Sequence, residues 1–199
     1  DGGRIAASSF RSGINGHGRI DLYVLWLNGP SPRLIYTNEP GTDAIALRTP
    51  HYAIWSPDSR MLAFICQSPS HGLSLHVVDV EGSGELEHLL DGAPMYLAWS
   101  SDSRFLLVHS GSSHYLVDFE GTRDMREMPG TASASLYMTP SWGPVSGRAA
   151  MFRDLGKERQ TLLVMDALGG GVEAVAEVDG AGAFAWRPDE TAIGLARGL

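Results

Sequence analysis

The chain is poor in the residues and patterns that most often announce a function. One cysteine, Cys66, stands in 199 residues. No disulfide can form within the chain, and Cys66 reads as a small apolar strand residue rather than a reactive thiol. That count selects neither a reducing nor an oxidising compartment. Basic residues are few and scattered, 15 against 23 acidic, for a formal charge of −8. Nucleic-acid binding needs a concentrated basic surface, so this balance argues against it. No apolar run approaches the ~18 residues of a membrane span. No signal-like segment opens the chain, and it begins at Asp1 rather than methionine, so residues are expected upstream. A sustained apolar stripe of helical period is missing, and helices should be few.

Catalytic signatures are also missing. Ser110-Gly111 and Ser146-Gly147 lack the upstream glycine of a nucleophile elbow. There is no His-Glu-x-x-His, Cys-x-x-Cys, phosphate loop or dinucleotide fingerprint. Gly169-Gly170-Gly171 follows an apolar stretch without a helix after it, and reads as a turn. The sequence therefore predicts no catalytic residue, no cofactor and no metal site.

What is present is a repeat. Trp55-Ser56-Pro57-Asp58-Ser59-Arg60 precedes an apolar run. Trp99-Ser100-Ser101-Asp102-Ser103-Arg104 does the same. A worn copy begins at Trp142, and a further one is Trp186-Arg187-Pro188-Asp189. The tryptophans lie 44, 43 and 44 residues apart. Between them, short β-branched and aromatic stretches alternate with clusters of Gly, Pro, Asp and Ser, fitting 24 glycines and 11 prolines. Each unit reads as four short strands, the signature of a propeller blade. Trp55, Trp99, Trp142 and Trp186 should wedge between blades. Asp58, Asp102 and Asp189 should accept backbone N–H bonds in the turns, as should the Asp-x-x-Gly stretches at 79–82, 118–121 and 166–169.

The fold class predicted is all-β: a β-propeller of four-stranded antiparallel blades with a repeat of about 44 residues, incomplete or open in this chain. A single propeller domain is assigned to residues 1–199, with blades at 1–38 (partial), 39–91, 92–130, 131–180 and 181–199 (partial). An open stack leaves raw edges and uncovered apolar faces, so further sequence or a covering partner is expected. Closure of a four-bladed ring by pairing 183–186 with 3–9 would leave 192–196 unplaced.

The pattern Trp-Ser-Pro-Asp-x-Arg-x-Leu-Ala-Phe, followed by x-Tyr-Val-x-Asp-x-x-Gly, resembles the repeat of TolB-like β-propellers. Trp55 to Phe64 with His76 to Gly82, and Trp99 to Val108 with Tyr115 to Gly121, carry the resemblance. It implies a blade type, and by family habit an exported protein that binds other proteins. The separate N-terminal domain of TolB has no counterpart here, and six blades are expected in TolB against three complete and two partial ones here. Related propellers also cap prolyl-oligopeptidase-like peptidases.

Loops before first and third strands should emerge on one face and vary: 10–21, 38–51, 67–74, 130–140 and 154–160. The repeated turns should emerge on the other. Rigidly positioned variable loops are where propeller function tends to reside. His17, His51, His71 and His114 fall in or beside these loops, as ordinary polar residues, metal ligands or pH-responsive contacts, and Phe10, Tyr52, Tyr96 and Tyr137 are aromatic anchor candidates. The expected function is a non-catalytic protein-binding or scaffold module, an accessory subunit of a larger envelope or membrane-associated assembly, in a periplasmic or extracytoplasmic setting. Its partner would be a protein or complex, with no nucleic acid and no membrane span of its own. The alternative is the substrate-gating cap of a peptidase whose catalytic domain is not in this chain.

Overall fold

A computed structural model describes residues 2–11, 19–38, 52–68, 72–132, 138–169 and 171–197. They form seventeen strands and no helix. The chain divides into two compact units, Asp1–Ala93 and Pro94–Leu199.

The first unit holds two antiparallel sheets. One orders β1 (Arg4–Arg11), β2 (Arg19–Trp26) and β3 (Arg33–Thr37) as neighbours in sequence. The other contains β4 (Tyr52–Trp55), β5 (Met61–Ser68), β6 (Gly72–Asp79) and β7 (Leu86–Gly92), again in chain order. Leu22 and Val24 of the first sheet pack with Leu62, Phe64, Cys66 and Val78 of the second. Phe64 and Leu62 are fully buried, and each such side chain contributes about 1.5–3 kcal/mol. The strand β5 is covered on both faces, which is why Met61 to Cys66 reads as one apolar run rather than an alternation.

The second unit continues the same plan. A sheet of β8 (Met95–Trp99), β9 (Phe105–Ser110), β10 (Ser113–Asp118) and β11 (Met125–Glu127) is followed by a sheet of β12 (Ser141–Trp142), β13 (Arg148–Gly156), β14 (Arg159–Asp166) and β15 (Val172–Asp179). A two-stranded sheet, β16 (Gly182–Trp186) and β17 (Ile193–Arg197), ends it. Phe105, Leu107 and Leu116 pack with Trp142, Met151 and Leu163. On the other face of that sheet, Ala150, Phe152 and Leu162 meet Phe184, Trp186 and Ile193. The four-strand meander with stacked sheets is the blade plan read from the repeat, and among the described residues no sheet closes on itself.

The tryptophans do bridge blades. Trp142 Nε1 donates to Ala98 O (2.8 Å), and Trp186 Nε1 donates to Ser141 O (3.0 Å). Each ring is thus hydrogen-bonded to the inner strand of the preceding blade, and Phe105 stacks on Trp142 with 5.9 Å between centroids.

Strand β12 holds only two residues. Pro140 has no N–H to give to a ladder, so pairing begins after it. The long loop expected at 154–160 is a tight hairpin instead. Strand β13 runs on to Gly156, and Lys157 (φ 54°) and Glu158 (φ 57°) make a turn whose positive φ values match strand twist. The loop expected at 10–21 is narrower at both ends, because β1 reaches Arg11 and β2 begins at Arg19.

Some apolar side chains stand open on the outer strands. Ile5 and Leu34 are 47% and 45% exposed in the first unit, and Val175 and Leu195 are 46% and 39% exposed in the second.

Candidate functional site

The two ends of the blades are built differently. At the end carrying the repeated turns, carboxylates are consumed by local structure. Asp58 Oδ1 accepts from the Arg60 N–H (3.0 Å) and the Ser56 hydroxyl (2.5 Å). Asp102 repeats this with Arg104 N (3.0 Å) and Ser100 Oγ (2.5 Å). Asp189 accepts from the Thr191 N–H and hydroxyl at 3.1 and 2.8 Å. Asp79, Asp118 and Asp166 each accept two backbone N–H bonds from the hairpin that follows. Arg60 is paired with Asp79 (2.6 Å) and Arg104 with Asp118 (2.8 Å), closing each blade on itself. The Arg104 guanidinium holds the Asp118 carboxyl below the usual range, with help from the hairpin N–H groups. These acids are turn formers, and none is left poised over a reacting group.

Blade four departs from this rule. Its turn, Gly143 to Gly147, carries no carboxylate. Glu190, from the turn of the next blade, supplies one: its Oε1 accepts from Val145 N (2.5 Å) and Ser146 N (2.9 Å). Arg148 turns toward Glu190 Oε2 at 3.4 Å. Burial opposes ionisation of Glu190, but the bonds from Ser146, Val145 and Arg148 outweigh it and bring its pKa down to about 2. A Cβ at Gly143 would meet the Glu190 carboxylate, so a side chain there would displace this clamp.

At the loop end of the first unit lies a buried acid that sequence reasoning placed in a loop. Asp21, on β2, is fully buried. It accepts from Arg19 Nε (2.6 Å), Thr37 Oγ1 (2.8 Å) and Tyr23 OH (3.3 Å), and Arg11 Nε lies 3.5 Å away. Burial pushes its pKa up, but these donors prevail and the carboxyl sits below its ordinary range. The cluster ties three strand ends, β1 through Arg11, β2 through Asp21 and β3 through Thr37. The sequence signal was an acid flanked at two residues by Arg19 and Tyr23, with apolar residues between, the alternation of a strand.

A second polar group sits between the sheets of the same unit. His76 stacks on Phe64 (5.5 Å between centroids), with Tyr36 and His88 rings at 5.4 and 5.1 Å. Burial and the neighbouring His88 lower its pKa to about 4, so it is neutral at pH 7, and its Nδ1 is buried without a partner. Asp91 Oδ1 accepts from both the Ser74 hydroxyl and His88 Nε2 (3.0 Å to the latter). The carboxylate is in the middle of this chain, so Ser74 is bonded to Asp91 and not to the imidazole of His88. Cys66, buried beside it, is kept a thiol by desolvation. Among the described residues, no three His, Cys, Asp or Glu side chains are grouped to hold a metal ion. No helix there is long and apolar enough to cross a membrane.

The anchor candidates separate into three sets. Phe10, near the end of β1, and Tyr52, the first residue of β4, are 41% and 53% exposed. Tyr96 is half-buried and packs on His109 (5.5 Å). His114 lies on β10 rather than in a loop, is buried against His109 (4.8 Å), and has its Nδ1 unpartnered. Desolvation and His109 push its pKa down to about 3. It is a core residue and not available to a partner. His17, His51, His71 and Tyr137 lie outside the described residues.

Fold and blade chemistry together define a β-propeller built from repeated blades that open on a Trp-Ser-Pro-Asp type of turn. No protein-family model matches the sequence, and no curated protein matches it either. Solved structures do. TolB from Acinetobacter baumannii aligns over 96% of this chain and 45% of its own, at 15% identity and a TM-score of 0.54. The β-propeller domain of the Trilobed protease from Pyrococcus furiosus, described as having an open velcro topology, aligns over 88% of this chain and 55% of its own, at 16% identity and TM-score 0.59. The acylaminoacyl peptidase of Pyrococcus horikoshii aligns over 87% of this chain and 31% of its own, at 14% identity and TM-score 0.54. The chain thus spans about half or less of each of these proteins, and the likeness establishes the fold.

Proposed function

We propose that the chain is a protein-binding module of a single propeller domain, contacting its partner through the loop end of the blades. The observation that carries this is the exposure of Phe10 and Tyr52 at strand ends, beside loop bases fixed by the buried Asp21 cluster. Aromatic side chains on a rigid base lose little freedom on binding, which is what an interface anchor requires. The turn end, by contrast, spends its charges internally. An accessory role in an extracytoplasmic assembly follows from the resemblance to TolB-like propellers.

A photo-crosslinking residue at Phe10 or Tyr52, introduced in the native host, tests this. Both positions should yield one discrete polypeptide adduct, while Glu120 at the turn end should yield none. Equal labelling from Glu120, or no adduct from either aromatic position, refutes the loop-end reading. The second reading, a peptidase cap, is favoured by the likeness to the Trilobed protease propeller. An adduct that is itself a serine-hydrolase domain, reactive toward a fluorophosphonate probe, would select it.

A further inference from the structure

Both ring nitrogens of His109 meet acceptors. The side chain is fully buried on β9. Its Nδ1 lies 2.8 Å from Met138 O, on the segment leading into β12, and its Nε2 lies 3.1 Å from Gly111 O, in the hairpin between β9 and β10. A carbonyl oxygen only accepts, and a neutral imidazole has one N–H and one lone pair. In the neutral ring, one of these contacts therefore sets lone pair against lone pair. In the imidazolium both are charge-assisted hydrogen bonds, the stronger kind.

The other neighbours of this ring also suit a cation. Register places Tyr96 of β8 and His114 of β10 opposite His109, so the three rings share one face of the sheet. The Tyr96 ring lies 5.5 Å away and tilted by 35°, and the His114 ring 4.8 Å away and tilted by 31°. The central ring thus has an aromatic neighbour on each side and a carbonyl at each nitrogen. Aromatic rings attract a cation, more strongly where water is excluded. Among the described residues, His109 makes no ion pair, and a buried charge without one has to be offset by such contacts. The titratable groups facing it are Tyr96 and His114, while the hairpin and the Met138 segment present peptide groups. His114 is held neutral by its own burial and by His109, so the cage holds one charge rather than two.

We infer that His109 is a proton-operated clamp: as an imidazolium it holds Met138 O and Gly111 O together, and on losing a proton it releases one of them. The two carbonyls belong to different blades, the hairpin of the third and the leading segment of the fourth, and both lie at the loop end. Acidification closes the clamp. On the loop-end reading of partner contact given above, binding then tightens as pH falls. That consequence rests on the reading, whereas the clamp is visible in the chain without any partner, so the two fail separately.

Side-chain nitrogen NMR of the free chain, labelled with ¹⁵N-histidine and followed from about pH 5 to about pH 8, counts protons ring by ring, with His109→Gln identifying the signals of this ring. At the acid end His109 is expected to carry protons on both nitrogens, and His114 on one throughout. The loss of one proton from His109 should coincide with a step in the carbonyl ¹³C shift of Met138 or Gly111, and that step should vanish in His109→Gln. Tyr96→Leu removes one aromatic ring and spares both carbonyl contacts, so it should lower the midpoint of the His109 titration by about half a pH unit. The inference is overturned if His109 keeps a single protonated nitrogen over the whole range, if both carbonyl shifts stay flat while it titrates, if the step persists in His109→Gln, or if folded Tyr96→Leu leaves the midpoint where it was.

Discussion

Glu190→Gln is the most informative single change in the scaffold, because it removes one charge and little else. In the folded chain this carboxylate accepts from Val145 N at 2.5 Å and Ser146 N at 2.9 Å, and faces Arg148 at 3.4 Å. Hydrogen bonds to a charged acceptor contribute about 1.5–3 kcal/mol and neutral ones about 0.5–1.5. Glutamine keeps an oxygen that can still accept, so only the difference is lost. Val145 and Ser146 are surface residues, which lets water replace part of the interaction and favours the lower figures. The contact to Arg148 is screened, its side chain being 42% exposed, and adds about 0–1 kcal/mol. Hydrogen-bond arithmetic puts the cost of Glu190→Gln at about 1 kcal/mol and of Glu190→Ala at about 2, below the ~3.4 kcal/mol that a full depression from 4.5 to about 2 corresponds to, because the exposed partners of the carboxylate are screened by solvent.

The pH dependence gives an independent check. Glu190 titrates near its ordinary 4.5 when unfolded and near 2 when folded. Its contribution is complete above pH 4.5 and disappears as pH falls from there toward 2, where the folded carboxyl also takes a proton. Urea unfolding at pH 7, 4 and 2 should show the wild-type advantage over Glu190→Gln shrinking to nothing at the acid end. Hydrogen exchange should show faster exchange of the Val145 and Ser146 amides in Glu190→Ala at pH 7. A gap that stays constant from pH 7 to 2, or amides that exchange alike in both proteins, would falsify the assignment of Glu190 as the clamp on this turn.

Two further changes probe the blade interior. Trp142→Phe keeps most of the ring packing and deletes the bond to Ala98 O, at a cost of about 1–2 kcal/mol; an unchanged urea midpoint would mean that the tryptophan does not hold adjacent blades. His114 is held neutral by burial with a folded pKa of about 3, so wild type loses stability as pH falls below 6.5, where the unfolded chain takes up a proton and the native one does not. His114→Leu should flatten that decline by about 1.4 kcal/mol per pH unit between those values, leaving the His76 contribution in place; parallel stability curves between pH 6.5 and 4 would show that the buried imidazole is not responsible.

The repeat is legible in the sequence wherever one blade does what the others do. Trp55, Trp99 and Trp186 keep one distance from the αL residue of their turn, Ser59 (φ 63°), Ser103 (φ 65°) and Glu190 (φ 54°), so a single turn geometry writes the same letters three times. The Arg-to-Asp pairs at 60–79 and 104–118 follow from that register, since the arginine immediately precedes the second strand and the aspartate ends the third. What composition conceals is the departures, and for physical reasons. Arg148 fits the motif, yet its neighbour Val145 is no carboxylate, and the acid that replaces it is 45 residues away on another blade; no local pattern encodes that contact. Asp21 is hidden because the glycine-rich stretch before it reads as loop, while its charge is tolerated in a strand only through Arg19, Thr37 and Tyr23. His114 is read as a surface residue from its chemistry, whereas its cross-strand partner is His109 rather than solvent. Residues common to all blades are spent on holding blades together, so a site that distinguishes this propeller from others with its fold has to be built from residues that break the repeat, as Asp21 and Glu190 do.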